Sequence, residues 1–264
     1  MQTENKKYMS TSELKLFSSL KNKKNRNELN LFLIEGDKII DEALKEKWEI
    51  KAVVVDETKE NLLKSFIDYL ISFEIKVIFA KKQDYKKLSE LKTPPGILAV
   101  VKKKIKKLHF NDSIIALENI QDPGNLGTII RSCDWFGFRN ILASDNCADV
   151  FNAKTLRSSM GSLFRVNYQE EKNFYEFLKK LKEQGYMILT TDARGVNINK
   201  INLSRAQLKK FILVLCNESF GASPEALSLS DKIISIPGEE GAESLNVSMA
   251  GAILLYHFYL LTNF

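Results

Sequence analysis

The sequence has few of the residues that build disulfide frameworks, metal centres and histidine-based active sites. Its 264 residues include three cysteines, Cys133, Cys147 and Cys216, and two histidines, His109 and His257. Three scattered cysteines are too few for a disulfide framework or a zinc site, so we expect no metal and a reducing compartment, the cytoplasm. Neither histidine belongs to a motif, which argues against acid–base catalysis by an imidazole.

Long hydrophobic runs are also absent. No apolar run reaches the roughly 18 residues expected of a membrane span. The most apolar stretch, residues 247–261, is interrupted by Ser248, Gly251 and His257 and predicts a buried C-terminal helix. The first seven residues lead into no apolar core, so a signal peptide is not expected. These absences favour a cytoplasmic protein with no membrane partner.

Charge is distributed unevenly along a chain whose net charge is +6. Residues 1–110 hold 24 lysines and arginines against 16 acidic residues, a net of +8, whereas residues 111–264 have a net of −2. Basic residues cluster at 21–26 and again at 102–107. A basic half of this kind suits a polyanion bound through its phosphates. Solvated lysine-rich faces are the alternative explanation, and the asymmetry between the halves favours RNA or DNA.

Two α/β domains are predicted from the alternation of apolar runs and helical patterns. The first domain comprises residues 1–104. Its strands are expected at 31–34, 52–55, 76–79 and 97–101, and its helices at 37–44, 59–72 and 85–91. The lysine run 102–107 is the expected hinge between the domains.

The second domain comprises residues 105–264 and repeats the strand–helix alternation. Its strands are expected near 113–118, 139–143, 186–190, 211–216 and 232–236, and its helices near 126–136, 173–184 and 246–261. Such alternation with short connections indicates a mostly parallel sheet covered on both faces.

Three short polar segments stand where apolar runs of this second domain stop. The first polar segment is 122–131, with Asn125 and Arg131; the second is 217–224, and the third is 244–248. Polar residues just past the ends of buried parallel strands are where open α/β sheets build their sites. We therefore expect the three segments to form one pocket of amides, a carboxylate and an arginine.

Each segment alone has a plainer explanation. Gly124 and Gly127 fit an ordinary strand-to-helix turn, and the dinucleotide-binding pattern G-x-G-x-x-G is absent. A KH-type loop would require a different helical context. Ser244 or Asn246 fits a simple N-cap. The order of the three segments, taken together, is what favours a site.

Taken in order, the segments resemble the SpoU/TrmH family of RNA ribose 2′-O-methyltransferases, members of the SPOUT superfamily. The first motif is matched by Asn119 to Arg131, including the stretch D-P-G-N-L-G. The second is matched by Leu213 to Gly221, and the third by residues 236–238 with 244–250. Many members have glycine where this chain has Cys216 and Ser219.

The resemblance implies a fold, a cofactor and an assembly. The expected fold is α/β, with a C-terminal SPOUT domain that has a trefoil knot and a parallel sheet. The expected N-terminal domain is a smaller α/β, ribosomal-protein-like unit that binds RNA. The family also implies S-adenosyl-L-methionine as cofactor and a homodimer with sites near its interface.

The resemblance also implies roles for individual residues. The residues implied in catalysis are Arg131, Asn125, Glu218, Ser244 and Asn246. The residues implied in cofactor binding are Thr190, Cys216, Asn217, Gly221, Ile236 and Leu245, largely through backbone groups. A guanidinium with a pKa above about 12 is a poor general base. We therefore expect Arg131 to hold the target nucleotide and to stabilise charge that develops on the 2′-oxygen.

The function expected from the sequence is methyl transfer to a ribose 2′-hydroxyl of structured RNA. A separate α/β domain before the catalytic one favours rRNA over tRNA as the substrate. A ribosome-assembly factor that binds RNA without catalysis is the alternative from another class. The presence of Asn125, Arg131, Glu218 and Asn246 argues against that alternative.

Overall fold

The computed structural model of the protein describes residues 6–104, 106–218, 220–239 and 244–263, apart from the side chains of residues 205 and 206. These residues form ten β-strands and eleven α-helices. The strands are β1 (Leu31–Glu35), β2 (Ile50–Asp56), β3 (Val77–Ala80), β4 (Ile97–Lys102), β5 (Ile114–Glu118), β6 (Asn140–Ser144), β7 (Asn167–Glu171), β8 (Met187–Asn197), β9 (Phe211–Cys216) and β10 (Lys232–Ser235). The helices are α1 (Thr11–Ser19), α2 (Lys23–Leu29), α3 (Asp37–Lys45), α4 (Glu60–Ser72), α5 (Lys82–Leu88), α6 (Pro123–Trp135), α7 (Ala153–Ser159), α8 (Phe174–Glu183), α9 (Arg205–Lys209), α10 (Pro224–Leu229) and α11 (Val247–Asn263).

These elements form two compact units. The first contains the described residues up to Lys104 together with Phe151–Phe164, and the second contains the remaining described residues. The sequence-based boundary at residue 104 assigns 151–164 to the second domain, whereas in the structure this segment packs with the first unit.

Aromatic contacts hold the segment Phe151–Phe164 in the first unit. The Phe151 ring lies 4.7 Å from that of Phe32, and the Phe164 ring lies 5.1 Å from that of Trp48. The Trp48 indole N–H also donates to the backbone oxygen of Phe164 at 3.3 Å. Periodicity in the sequence depends on residues that are close along the chain, so it cannot predict these contacts between distant aromatic residues.

The first unit is built on a four-stranded mixed sheet in the order β1-β4-β2-β3. β4 runs antiparallel to β1 and β2, and β3 runs parallel to β2. Helices α1 and α2 were not expected from the sequence. α1 begins with a capping box formed by Ser10 and Glu13, whereas α2 is largely polar and is capped by Asn22. α5 ends at Leu88, short of the predicted residue 91.

The second unit is built on a six-stranded sheet in the order β10-β8-β9-β5-β6-β7, with parallel pairing throughout. Every residue of β5, β6 and β9 is buried, which explains their continuous apolar runs. The α/β prediction with a parallel sheet is therefore confirmed. β7 escaped prediction because its sequence, N-Y-Q-E-E, has no apolar run.

β8 is longer than the strand predicted at 186–190, because it continues to Asn197. Its pairing with β10 shifts in register between Ile233 and Ile234. Gly195 lies against β10 at this shift: a Cβ there would be 2.6 Å from the backbone carbon of Ile234. Only glycine permits so close an approach between two backbones.

The C-terminal helix α11 packs against α6 and β9. Leu254 and Phe258 are buried as the sequence predicts, but Ile253 and Tyr256 are exposed on another face. Within the described ranges, no helix is long and apolar enough to cross a bilayer. In the same ranges, no three His, Cys, Asp or Glu side chains are placed to hold a metal ion.

Candidate active site

The polar segments begin at one edge of the second unit's sheet. β5 ends at Glu118 and β9 ends at Cys216, and these two residues are paired across the parallel ladder. The first and second polar segments therefore leave the sheet from neighbouring positions at its carboxyl edge. This is the edge at which open parallel sheets place their sites.

Asn125 joins all three segments through its side-chain amide. Its Nδ2 donates to Glu218 Oε1 at 3.2 Å, and its Oδ1 accepts from Asn246 Nδ2 at 3.0 Å. Residues 93 and 121 positions away in sequence thus meet at one amide. The structure brings together three of the five residues implied in catalysis.

Local helix-capping geometry fixes Asn125. The Asp122 side chain accepts from the Asn125 backbone N–H at 2.9 Å, and Pro123 occupies the first turn of α6. Proline suits this turn because its missing N–H would have no helical partner there. The plain strand-to-helix turn considered from the sequence is present, and it also sets the position of Asn125.

Asn246 has a similar double role. Its Oδ1 accepts from the Ser248 backbone N–H at 2.9 Å and from Ser248 Oγ at 2.6 Å, so it caps the start of α11. Its Nδ2 remains directed to Asn125. Capping and participation in the polar cluster are therefore compatible in this residue.

The second polar segment is tied to the first by its own backbone and amide. Asn217 Nδ2 donates to the backbone oxygen of Asn119 at 3.0 Å, and the Gly221 N–H donates to the backbone oxygen of Asn217 at 2.9 Å. Asn119 adopts φ +56°, and its N–H donates to Ser144 Oγ. Asn217 and Gly221 thus belong to one compact turn.

The side chains of Thr190 and Cys216 are packed away from the cluster. Thr190 is fully buried, and its hydroxyl accepts from Ser230 Oγ at 2.5 Å. Cys216 is buried, and both burial and the nearby Glu118 carboxylate raise the pKa of its thiol. These residues can face a ligand through backbone groups only, and Cys216 is not a reactive thiolate.

The remaining predicted residues are not joined to the cluster by hydrogen bonds. Arg131 lies on the exposed side of α6, and no described residue forms an ion pair with it. Ser244 and Leu245 are exposed, and Ile236 is half-buried just after β10. Ser219 lies outside the described residues.

Two acidic residues of this region were missed from the sequence. Glu118 is 1% exposed at the end of β5, and Asp192 follows the predicted Thr190 in β8. Glu118 is the last residue of an otherwise apolar strand, and this position was the sequence feature that could have identified it as a site residue. A single acid at a strand end resembles the start of a solvated loop, so the signal is weak.

Two family models match the chain. The SpoU rRNA methylase family matches residues 112–256, and the MRM3-like substrate-binding domain matches residues 12–99. The two matches fall on either side of the predicted hinge.

Individual relatives agree with these models. The chain is 34% identical to the 23S rRNA (guanosine(2553)-2'-O)-methyltransferase RlmP of Bacillus subtilis, over 93% of the chain and 95% of that protein. It is 26% identical to the 23S rRNA (uridine(2479)-2'-O)-methyltransferase of Streptomyces viridochromogenes, over 90% and 85%. A TrmH-family structure from Porphyromonas gingivalis superposes with a TM-score of 0.83 at 29% identity, over 95% and 98%.

Proposed function

Because the chain belongs to the SpoU rRNA methylase family, we propose that it transfers a methyl group from S-adenosyl-L-methionine to a ribose 2′-hydroxyl of rRNA. The observation that carries the proposal is the hydrogen-bonded junction of Asn125, Glu218 and Asn246 at the carboxyl edge of the sheet. The Bacillus subtilis relative, matched over nearly its whole length, is named as a 23S rRNA 2'-O-methyltransferase.

The residues present fit such a cofactor. The site contains neutral amides, small residues and an exposed apolar side chain, Leu245, that suits an adenine ring. The proposed contacts are with Thr190, Cys216, Asn217, Gly221, Ile236 and Leu245, mainly through their backbone groups. When bound, the cofactor supplies an activated methyl group on a sulfonium. The protein then needs no metal and no covalent intermediate, and it supplies orientation and proton removal.

Arg131 is the proposed catalytic residue. Its exposed guanidinium has no acidic partner among the described residues, so it is available to an RNA phosphate and to a developing 2′-oxyanion. Asn125 anchors the ribose, Glu218 orients local donors such as the Asn125 amide, and Ser244 and Asn246 place the nucleotide beside the methyl group. The hydroxyl proton leaves through a phosphate oxygen or water.

The first unit is the proposed RNA-binding unit. The substrate-binding model covers its residues 12–99, and the basic half of the chain falls here. Three lysines that stand out only in the structure, Lys81, Lys82 and Lys86, line one open depression with Gln83. Lysines grouped in this way bind phosphates without reading sequence.

A homodimer through α6 and α11 is the proposed assembly. Trp135 at the end of α6 is 82% exposed, and Met249, Ile253 and Tyr256 of α11 are exposed as well. Phe136 packs on Tyr256, so the two helices present one apolar surface. A second copy of the chain is the occupant, in keeping with the family. We further infer the cytoplasm as the location, since all three cysteines are free thiols.

The test of the proposed function is methyl transfer with labelled S-adenosyl-L-methionine. Purified rRNA and tRNA from cells lacking the gene are incubated with the protein, and ribose methylation is mapped by mass spectrometry of nuclease fragments. We expect label at one rRNA nucleotide and none in tRNA. Label found only in tRNA would show that tRNA, and not rRNA, is the substrate. The absence of label in both RNAs would refute the proposal.

A further inference from the structure

The loop between β9 and α10 contains two of the proposed cofactor contacts, Asn217 and Gly221, and its second half is held by a buried carboxylate. Glu118 Oε1 accepts from the Ser223 hydroxyl at 2.5 Å, and Glu118 Oε2 accepts from the Ser223 backbone N–H at 3.2 Å. The Tyr175 hydroxyl of α8 donates to Oε1 as well, at 2.5 Å. Glu118 therefore binds one side chain and one backbone group of the same loop residue.

A second carboxylate holds the neighbouring residue of the loop. The Asp192 carboxylate accepts from the N–H and the guanidinium of Arg194, and the Ala222 backbone N–H contributes to lowering the pKa of the same carboxyl. Gly221 lies against the same carboxylate, because a Cβ there would be 3.6 Å from Asp192 Oδ2. Two carboxylates thus lie along successive residues of the loop, Asp192 beside Gly221 and Ala222, and Glu118 at Ser223.

The two carboxylates differ in their charge partners. Asp192 has Arg194 beside it, and that guanidinium lowers the pKa of the Asp192 carboxyl. Glu118 is 1% exposed and has no cationic partner in the described part of the chain. A buried acid without a cation is costly unless hydrogen bonds compensate for its lost hydration.

We propose that Glu118 is a positioning residue that holds residues 221–223 in the conformation that receives the cofactor; this inference rests on the proposed function. Asn217 anchors the start of the loop to the backbone of Asn119. Glu118, which directly precedes Asn119 in the chain, anchors the end of the loop through Ser223. Both anchors therefore come from the end of β5, the strand that leads into the polar segment with Asn125.

An ionised carboxylate suits this position better than an amide. All three groups that contact Glu118 in these bonds are donors. Ser223 Oγ already accepts from the Ala226 N–H at 3.0 Å as the cap of α10, so its proton is directed to Glu118. Burial and then the hydrogen bond to Glu118 raise the pKa of Tyr175 to about 12, so Tyr175 stays a donor. A glutamine here would turn an NH2 group towards at least one donor.

Glu118→Gln is the variant that tests the proposal, because it keeps the side-chain shape and removes the charge. Glu225→Gln is the matched control, since Glu225 is exposed in the first turn of α10. Hydrogen–deuterium exchange of peptides covering 221–223 is measured on both proteins without cofactor. We expect faster exchange in Glu118→Gln, by about 10-fold, because a charged acceptor of the loop amides is removed. Glu225→Gln should exchange like the wild type.

Calorimetry with S-adenosyl-L-methionine is the second measurement. We expect the Kd of Glu118→Gln to rise about 10-fold, with a matching rise in KM and a kcat within about twofold of wild type at saturating cofactor. Loss of kcat with unchanged Kd would overturn a positioning role, and so would unchanged exchange at 221–223.

The two measurements separate this inference from the proposed function. A wild-type protein that fails to bind S-adenosyl-L-methionine would refute the proposed function. Faster exchange in Glu118→Gln would still show that Glu118 holds residues 221–223 in place. Urea unfolding of each variant identifies global destabilisation. Faster exchange across both units, rather than at 221–223, would overturn the inference.

Discussion

The two units of the chain differ in how they arrange their polar side chains. In the second unit, amides and a carboxylate from distant parts of the sequence are joined by hydrogen bonds at one edge of a buried sheet. In the first unit, most charged side chains lie at the surface, some in pairs such as Lys24–Glu28, Lys45–Asp41 and Lys87–Asp84, while Arg26 and Asp56 are buried. Exposed pairs of this kind contribute little to stability.

This difference matches the different requirements of catalysis and of RNA binding. Methyl transfer requires reacting groups that are held within a fraction of an ångström, which a rigid, hydrogen-bonded cluster provides. Attraction of a polyanion requires charge density and little fixed geometry, which surface lysines provide. The comparison therefore predicts that substitutions in the catalytic polar segments of the second unit change kcat, and that substitutions of surface lysines in the first unit change RNA affinity and its salt dependence.

The largest expected effect is that of Arg131→Ala. We expect the methylation rate to fall about 1,000-fold or more, because the variant cannot make a charge-assisted hydrogen bond to the developing oxyanion. Binding of S-adenosyl-L-methionine, measured by calorimetry, should stay near the wild-type value. Lys179→Ala removes an exposed cation of α8 and is the control. Full turnover by Arg131→Ala on its native RNA would refute the role proposed for this residue.

The second prediction concerns assembly by the second unit. Ile253→Glu places a charge in the exposed apolar face of α11, and we expect the Kd of the dimer to rise about 30-fold or more. Sedimentation velocity over a concentration series measures this change. Leu62→Glu, at a site of α4 that is 77% exposed, should leave the dimer intact. If both variants sediment like the wild type, α11 is not the interface.

The third prediction tests the first unit. Replacing Lys81 and Lys82 together by glutamine should weaken RNA binding several-fold and reduce the slope of log K against log salt by about 2, since each lysine neutralises roughly one phosphate. The kcat at saturating RNA should not change. Lys179 with Lys180, replaced in the same way in the second unit, is the control pair. A fall in kcat with unchanged affinity would reverse the comparison between the units.

The smallest expected effect belongs to Glu13 in the capping box of α1. The Ser10 N–H and then Lys76 lower the pKa of Glu13 to about 2. A folded-state pKa below the unfolded value adds stability above pH 4.5, and this stability is lost as the pH falls towards 2.

Glu13→Gln should therefore cost about 0.5–1 kcal/mol at pH 7 and progressively less below pH 4. Urea unfolding at several pH values measures this, with the exposed Glu28→Gln as control. A cost that is constant from pH 7 to pH 3 would show that Glu13 acts through shape and not through charge.

Much of the second unit could be predicted from the sequence, for a physical reason. Strands that are buried on both faces have continuous apolar runs in their sequence, and the polar residues that follow these runs lie at the carboxyl edge of the sheet. Asn125, Glu218 and Asn246 were found in this way, and the structure joins them. Their roles in the reaction stay predictions, as does the trefoil knot.

What escaped prediction depends on contacts between distant residues or on polar composition. β7 and α2 have no apolar run, so their positions come from neighbouring elements. Glu118 and Asp192 are single acids whose partners lie elsewhere in the chain. Periodicity detects a face of an element and not a lone side chain bonded to a distant loop.

The placement of Phe151–Phe164 in the first unit has a consequence for synthesis on the ribosome. The chain leaves the first unit after Lys104 and returns to it only at Phe151, after β5, α6 and β6 have been made. Until then Phe32 and Trp48 can pack on each other but lack the rings of Phe151 and Phe164. Domains usually complete their folding in order from the N-terminus. Here the N-terminal unit can complete its folding only after residue 164 has been made. A nascent chain released before that point would therefore contain two incompletely folded units.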